Sequence, residues 1–197
     1  MLKSFRRPGV RGRITVVMAA FLALGAYQVA TASASSCVFN STTRELAATV
    51  DPGTSATFVV SGNQIMFGTV PEPCLGATTT ATDSIRVLGA SGSNEIVTID
   101  ERGGMFGPGF TPDGTTLSEV EFFLELGDAT DTVRVYATEG NDSIAVGQNG
   151  LSLNSDGDVD ATLVPNPMGM EIFALGGADF VNARGQFGAG LHYLGLV

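Results

Sequence analysis

Asp83, Asp131 and Asp179 recur at a constant 48-residue spacing, and their neighbours keep step with them. Ile85, Val133 and Val181 follow two positions on, and Val87, Val135 and Ala183 four positions on. Gly92, Gly140 and Gly188 share the same spacing. A second acid pairs Glu95 with Asp142, each preceded by an asparagine (Asn94, Asn141) and followed two positions later by an aliphatic (Val97, Ile144). A fixed period of this size predicts stacked supersecondary units, because one unit cannot bury its apolar face alone. Alternate aliphatics would point to a shared core, glycines would turn the corners, and the acid would sit at each turn. The expected fold is an all-β parallel β-solenoid, of β-helix or β-roll type, with a 48-residue internal repeat. The period fits one wide coil or two coils of half that length. The alternative is a β-sandwich in which the spacing is a coincidence.

The rest of the chain supports strands. Beyond residue 34 no 3.6-residue apolar period is sustained, and short β-rich runs are separated by Gly, Asn, Asp and Pro. Thr57–Val60 and Gln64–Phe67 flank Ser61-Gly62-Asn63 and predict a hairpin. Further runs lie at Ile85–Leu88, Ile96–Ile99, Val120–Leu124, Val133–Tyr136, Ile144–Val146, Ala161–Val164 and Glu171–Leu175.

The leading segment reads differently. Lys3, Arg6, Arg7, Arg11 and Arg13 precede an apolar run from Ile14 to Ala26, and Ala32-Ser33-Ala34 comes after it. A basic start, a short apolar core and an A-x-A site predict a secretory signal peptide over 1–34. The apolar run is shorter than the roughly 20 residues of a membrane span. Removing the leader leaves five arginines and no lysine against twenty acids, a net charge of −15. Nucleic acid and anionic membrane are excluded as partners, since binding either requires cations to neutralise phosphates. Divalent cations suit such a surface. Cys37 and Cys74, an even pair in an exported chain, predict one disulfide. The expected organisation is a disulfide-stapled β segment over 35–80, continuous with solenoid repeats over 81–197.

Glu139-Gly140-Asn141-Asp142-Ser143-Ile144 and Leu175-Gly176-Gly177-Ala178-Asp179-Phe180-Val181 resemble degenerate copies of the nonapeptide G-G-x-G-x-D-x-U-x. That nonapeptide belongs to secreted bacterial haemolysin-type (RTX) calcium-binding repeat proteins. The chain is similar to the region that precedes the strict nonapeptide array in such proteins. The resemblance implies an extracellular, non-enzymatic module stabilised by calcium, forming the leading part of a longer protein.

Calcium takes six to eight hard oxygen ligands. The densest supply is Asp156-Gly157-Asp158-Val159-Asp160, whose alternation can aim three carboxylates at one ion. It is not an EF-hand: counted from Asn154, Val159 stands at the glycine position and Pro165 at the glutamate position. Asp83, Asp131, Asp142 and Asp179 are further candidate calcium ligands, and the alternative for each is a turn residue bonding backbone. Catalysis has little support. His192 is the only histidine and no nucleophile elbow occurs. Two other readings stay open: an adhesion or carbohydrate-binding solenoid without metal sites, and a polysaccharide-acting β-helix enzyme using Arg86, Arg134 or Arg184.

Overall fold

The computed structural model describes residues 35–112, 118–127, 130–154, 156–164, 169–188 and 193–197. The leader expected over 1–34 and His192 lie outside the described residues.

Among the described residues there are fifteen strands and no helix. The first coil is built from β1 (Ser36–Asn40), β2 (Glu45–Thr49), β3 (Ser55–Ser61), β4 (Gln64–Gly68) and β5 (Glu72–Thr78). The second holds β6 (Ser84–Leu88) and β7 (Ile96–Asp100), and the third β8 (Glu121–Glu125), β9 (Thr132–Tyr136), β10 (Ser143–Gly147) and β11 (Gly150–Ser152). The fourth holds β12 (Ala161–Val164), β13 (Gly169–Phe173) and β14 (Phe180–Asn182), and β15 (Tyr193–Leu196) comes last.

Parallel pairing β2–β6–β8–β12 builds one sheet of eight strands, and β3–β7–β9–β13–β15 builds a second sheet of seven. The chain crosses from one sheet to the other and returns one rung higher, which makes it a parallel β-solenoid.

Alternation within each strand fills the space between the sheets. Leu46, Ile85, Phe122 and Ala161 stack in register along the first sheet, as do Ala48, Val87, Leu124 and Leu163. On the second, Ala56, Val97, Val133 and Met170 form one ladder and Phe58, Ile99, Val135 and Ile172 another. All sixteen side chains are buried, and each large one contributes roughly 1.5–3 kcal/mol by leaving water. Phe58 meets Phe122 edge-on at 5.5 Å between ring centres, tying the two sheets together.

The segment 35–80 shares both sheets with the later coils, through β2–β6 and β3–β7. Cys37 on β1 and Cys74 on β5 form a disulfide with Cα atoms 5.7 Å apart. β1 and β5 are the outermost strands of the two sheets, so the bridge ties one end of the solenoid across its core. Pro73 in β5 is tolerated there because an edge strand has a side that needs no donor.

The 48-residue spacing is not the length of a coil. In the first sheet Glu45, Ser84 and Glu121 pair in turn, and Phe122 pairs with Ala161, so successive coils advance the chain by 39, 37 and 39 positions. In the second, Ser55, Ile96, Thr132 and Gly169 give steps of 41, 36 and 37, and Gly169 to Tyr193 gives 24. Asp83 and Asp179 precede strands of the eight-stranded sheet, whereas Asp131 precedes a strand of the seven-stranded one. The three are therefore not equivalent. The true partners are Glu95 beneath Asp131 and Asp142 beneath Asp179.

The repeated spacing is one face plus one coil. Asp83 to Glu95 is a face step of 12 and Glu95 to Asp131 a coil step of 36; Asp131 to Asp142 is a face step of 11 and Asp142 to Asp179 a coil step of 37. The acid-x-aliphatic pattern marks the start of each strand, so it recurs more often than the coil does. Glycine is required where corners meet. Gly177 has φ +117°, and a Cβ there would overlap the carbonyl oxygen of Gly140 in the rung below.

The return from the second sheet to the first varies from coil to coil. It is the β4–β5 hairpin, which extends the seven-stranded sheet, in the first coil, irregular chain at 101–112 and 118–120 in the second, β10 with β11, which extend the eight-stranded sheet, in the third, and β14, paired with β10, in the fourth. No helix among the described residues is long and apolar enough to cross a membrane.

Candidate metal centre beside an apolar cavity

The return segments of the second and third coils meet at an acidic cluster. β8 and β12 run parallel with Phe122 opposite Ala161, so the residues entering these strands are neighbours. Glu119 enters β8, and Asp160 ends the turn that links antiparallel β11 to β12. Asp156 and Asp158 lie in the same turn, with Gly157 at φ +110° between them. One carboxylate oxygen from each of Glu119, Asp156, Asp158 and Asp160 lies within 4.8 Å of all the others.

Local bonds shape the turn. Asn154 Oδ1 accepts from the Asp156 amide at 2.9 Å and from Ser152 Oγ at 3.4 Å, while Asn154 Nδ2 donates to Glu119 Oε2 at 3.1 Å. Asp160 Oδ2 accepts from the Leu153 amide across the turn. The Asp160 carbonyl accepts from the Phe122 amide at 2.8 Å, which holds the turn against β8. Asp160 is only 3% exposed. With the cluster ionised, its Oδ1 and Glu119 Oε1 are buried without a hydrogen-bond donor.

The electrostatics arise from that arrangement. Burial raises Glu119 to about 9, helped by the charge of Asp160, a hydrogen bond to Asp160, and the charges of Asp156 and Asp158. Asp160 is raised to about 6, again first by burial, against the hydrogen bonds from Leu153 and Glu119 that favour its charged form. Without a cation, a proton held on Glu119 and donated to Asp160 relieves the repulsion. A divalent cation would do so more completely, with oxygens of the hard kind calcium takes.

A cavity of about 330 Å³ adjoins the cluster. Glu119 and Asp160 form part of its wall, with Met105, Phe106, Pro108 and Leu153 supplying apolar surface. Phe106 is buried edge-on against Phe122 at 5.0 Å. Glu101 adds a third carboxyl; burial raises it to about 8 despite a hydrogen bond from the Phe106 amide. Among the described residues no arginine lines the cavity. Arg102, next to Glu101 in sequence, is held by Asp100 at 2.6 Å and lies over the Tyr136 ring.

The structure thus brings Asp156, Asp158 and Asp160 together and adds Glu119. It does not bring Asp83, Asp131, Asp142 or Asp179 to them. Those four accept hydrogen bonds at the solenoid corners. Asp83 accepts from the amides of Phe110 and Thr111 and from Thr111 Oγ1 at 2.6–3.1 Å. Asp131 Oδ1 accepts from the Glu95 amide at 2.9 Å, and Asp179 Oδ1 from the Asp142 amide at 3.0 Å. Asp142 accepts from Thr138 Oγ1 at 2.8 Å. The bonded amides of Glu95 and Asp142 belong to the preceding coil, so these two bonds join rungs instead of closing a local turn. Arg86 and Arg134 share the 48-residue spacing but lie on different sheets: Arg86 pairs with Glu125 on the first and Arg134 with Glu171 on the second.

Glu119 carried no sequence signal. It lies 37 positions before Asp156, outside any acid-x-aliphatic motif, and only the coil length brings the two together. No family model matches the chain, and neither a curated protein nor a solved structure matches it.

Proposed function

We propose that this is an exported, non-enzymatic repeat module that binds calcium through Glu119, Asp156, Asp158 and Asp160. The observation that carries the reading is the set of four converging carboxylates, with Glu119 Oε1 and Asp160 Oδ1 buried among them and receiving no hydrogen bond when ionised. Like charges so placed require a proton or a cation, and four hard oxygens from a turn and a neighbouring strand entry suit the irregular oxygen cages that calcium accepts. Asn154 would hold Glu119 in place from behind. The bound ion would fasten the β11–β12 turn to the segment entering β8, and so stabilise the solenoid on its variable side.

Export is supported by the basic-apolar-A-x-A leader, the lysine-free acidic chain after it and the disulfide, a bond that persists in oxidising compartments. The resemblance to haemolysin-type repeat proteins agrees with both the compartment and the ion. The test is direct binding to the chain beginning at Ser35: calorimetry should give one calcium ion per chain. Glu119→Gln, the residue the sequence does not single out, should weaken binding at least tenfold, the order expected for losing one charged ligand. Undiminished binding in that variant would move the ion elsewhere.

A further inference from the structure

The cavity next to the cluster is a second feature, and its walls call for a different kind of ligand. Five polar side chains border it, Glu101, Ser118, Glu119, Asn154 and Asp160, and each is already engaged. Glu101 accepts from the Phe106 amide, and Ser118 Oγ donates to the Thr111 carbonyl at 3.1 Å. Asn154 accepts from the Asp156 amide through Oδ1 and donates to Glu119 Oε2 through Nδ2. Asp160 Oδ2 accepts from the Leu153 amide. The remaining oxygens of the last pair, Glu119 Oε1 and Asp160 Oδ1, are buried and do not face the cavity. What the space does offer is apolar. Phe106, Val120, Phe122 and Leu153 are buried walls, whereas Met105 and Pro108 are exposed ones and mark the opening.

This inventory selects the ligand. A charged group would shed its water here and gain no partner. An anion would find no cation either: among the described residues no arginine lines the space, and the chain beyond Ala34 has no lysine. A sugar would leave most of its hydroxyls unpaired. An uncharged apolar molecule loses nothing on entry and gains the dispersion contacts that an empty apolar space lacks. An apolar cavity of about 150 Å³ takes benzene. This one, at about 330 Å³, has room for a molecule of about twice that size.

We propose that this cavity binds a small uncharged molecule with an apolar body of two fused rings or about ten carbons, which enters past Met105 and Pro108 and lies against Phe106, Val120, Phe122 and Leu153. Recognition is by shape and by the exclusion of charge. It uses no oxygen of the acidic cluster, so it does not rest on the calcium reading.

The test gives the chain from Ser35 three probes of one shape: 2-naphthalenemethanol, 2-naphthoate and 2-naphthylmethylammonium. Calorimetry should show the alcohol saturating with one molecule per chain and the carboxylate binding at least about tenfold more weakly. The ammonium should bind no more tightly than the alcohol. Met105→Trp, at a half-exposed position that the fold does not depend on, should weaken the alcohol by about fivefold or more by filling part of the space. An unchanged melting temperature shows that this variant is folded. No saturation by the alcohol, a carboxylate that binds as well, or an ammonium that binds more tightly would each overturn the proposal, and these comparisons need no variant. Alcohol binding that Met105→Trp leaves untouched would place the molecule elsewhere and overturn it too.

Discussion

Two acidic regions of this molecule look alike in sequence and behave differently in space. At the solenoid corners Asp131 and Asp179 each face an amide of the coil before them, Glu95 and Asp142 respectively. Between β11 and β12, Asp156, Asp158 and Asp160 face one another and Glu119. A carboxylate aimed at an N–H is satisfied and holds two rungs together. A carboxylate aimed at other carboxylates is a demand for a cation or a proton. Acid content in a turn is therefore uninformative by itself; what the oxygen points at decides.

The largest separation between the regions should come from Asp131→Ala. Asp131 is fully buried, and its loss leaves the Glu95 amide without its acceptor. A cost of about 2–3 kcal/mol is expected, or a fall in Tm of roughly 5–10 °C for a chain of this size. Denaturant melts with and without calcium should show the same loss in both. A loss that calcium restores would place an ion at the corner and erase the distinction.

Next comes Glu119→Gln in EDTA. Glu119, Asp160 and Glu101 are all raised in the folded protein above their ordinary values, first by burial. The folded state then holds more protons than the unfolded one. The stability these groups contribute is complete below their ordinary range near 4 and is lost as pH rises through about 6, 8 and 9. Metal-free Tm should therefore fall between pH 5 and pH 9. Glu119→Gln should flatten part of that fall and gain on the order of 1 kcal/mol or less at pH 8, allowing for screening at a partly exposed group. A metal-free Tm that rises over this interval would contradict the crowding of carboxylates.

The smallest effect is expected from Asp179→Ala. It makes the same inter-coil bond as Asp131, but at a half-buried corner where water can replace it. About 0.5–1 kcal/mol should be lost, again without dependence on calcium. A cost equal to that of Asp131→Ala would mean that burial does not set the worth of the corner bond.

The contrast also explains what could be read from the sequence. Alternating aliphatics such as Ile85 and Val87, set between glycines and acids, made the solenoid legible, because each strand must bury one face. The hairpin around Ser61-Gly62-Asn63 was legible from its turn residues. The coil length was not. The same acid-x-aliphatic signal opens strands on different faces, at Asp83, Glu95, Asp131, Asp142 and Asp179, so its spacing mixes face steps with coil steps. Asp156, Asp158 and Asp160 stood out through local alternation. Glu119 depended on the register of β8 with β12, a long-range property that one sequence does not carry. The cavity is equally non-local, since its wall joins Glu101 and Phe106 to Leu153 and Asp160 across two coils.

The most direct test of calcium at this cluster compares melting of the chain from Ser35 in calcium, magnesium, and sodium chloride of matched ionic strength. Magnesium demands strict octahedral geometry and sheds water reluctantly, so an irregular carboxylate turn should favour calcium. An ion at about a hundred times its dissociation constant adds about 2.7 kcal/mol to stability, so millimolar calcium should raise Tm by several degrees and magnesium by much less. Replacing Asp156, Asp158 and Asp160 together by Asn should remove that difference while leaving the corner bonds intact. Equal shifts in all three salts, or a calcium shift that survives the triple replacement, would contradict the assignment of the ion to this cluster.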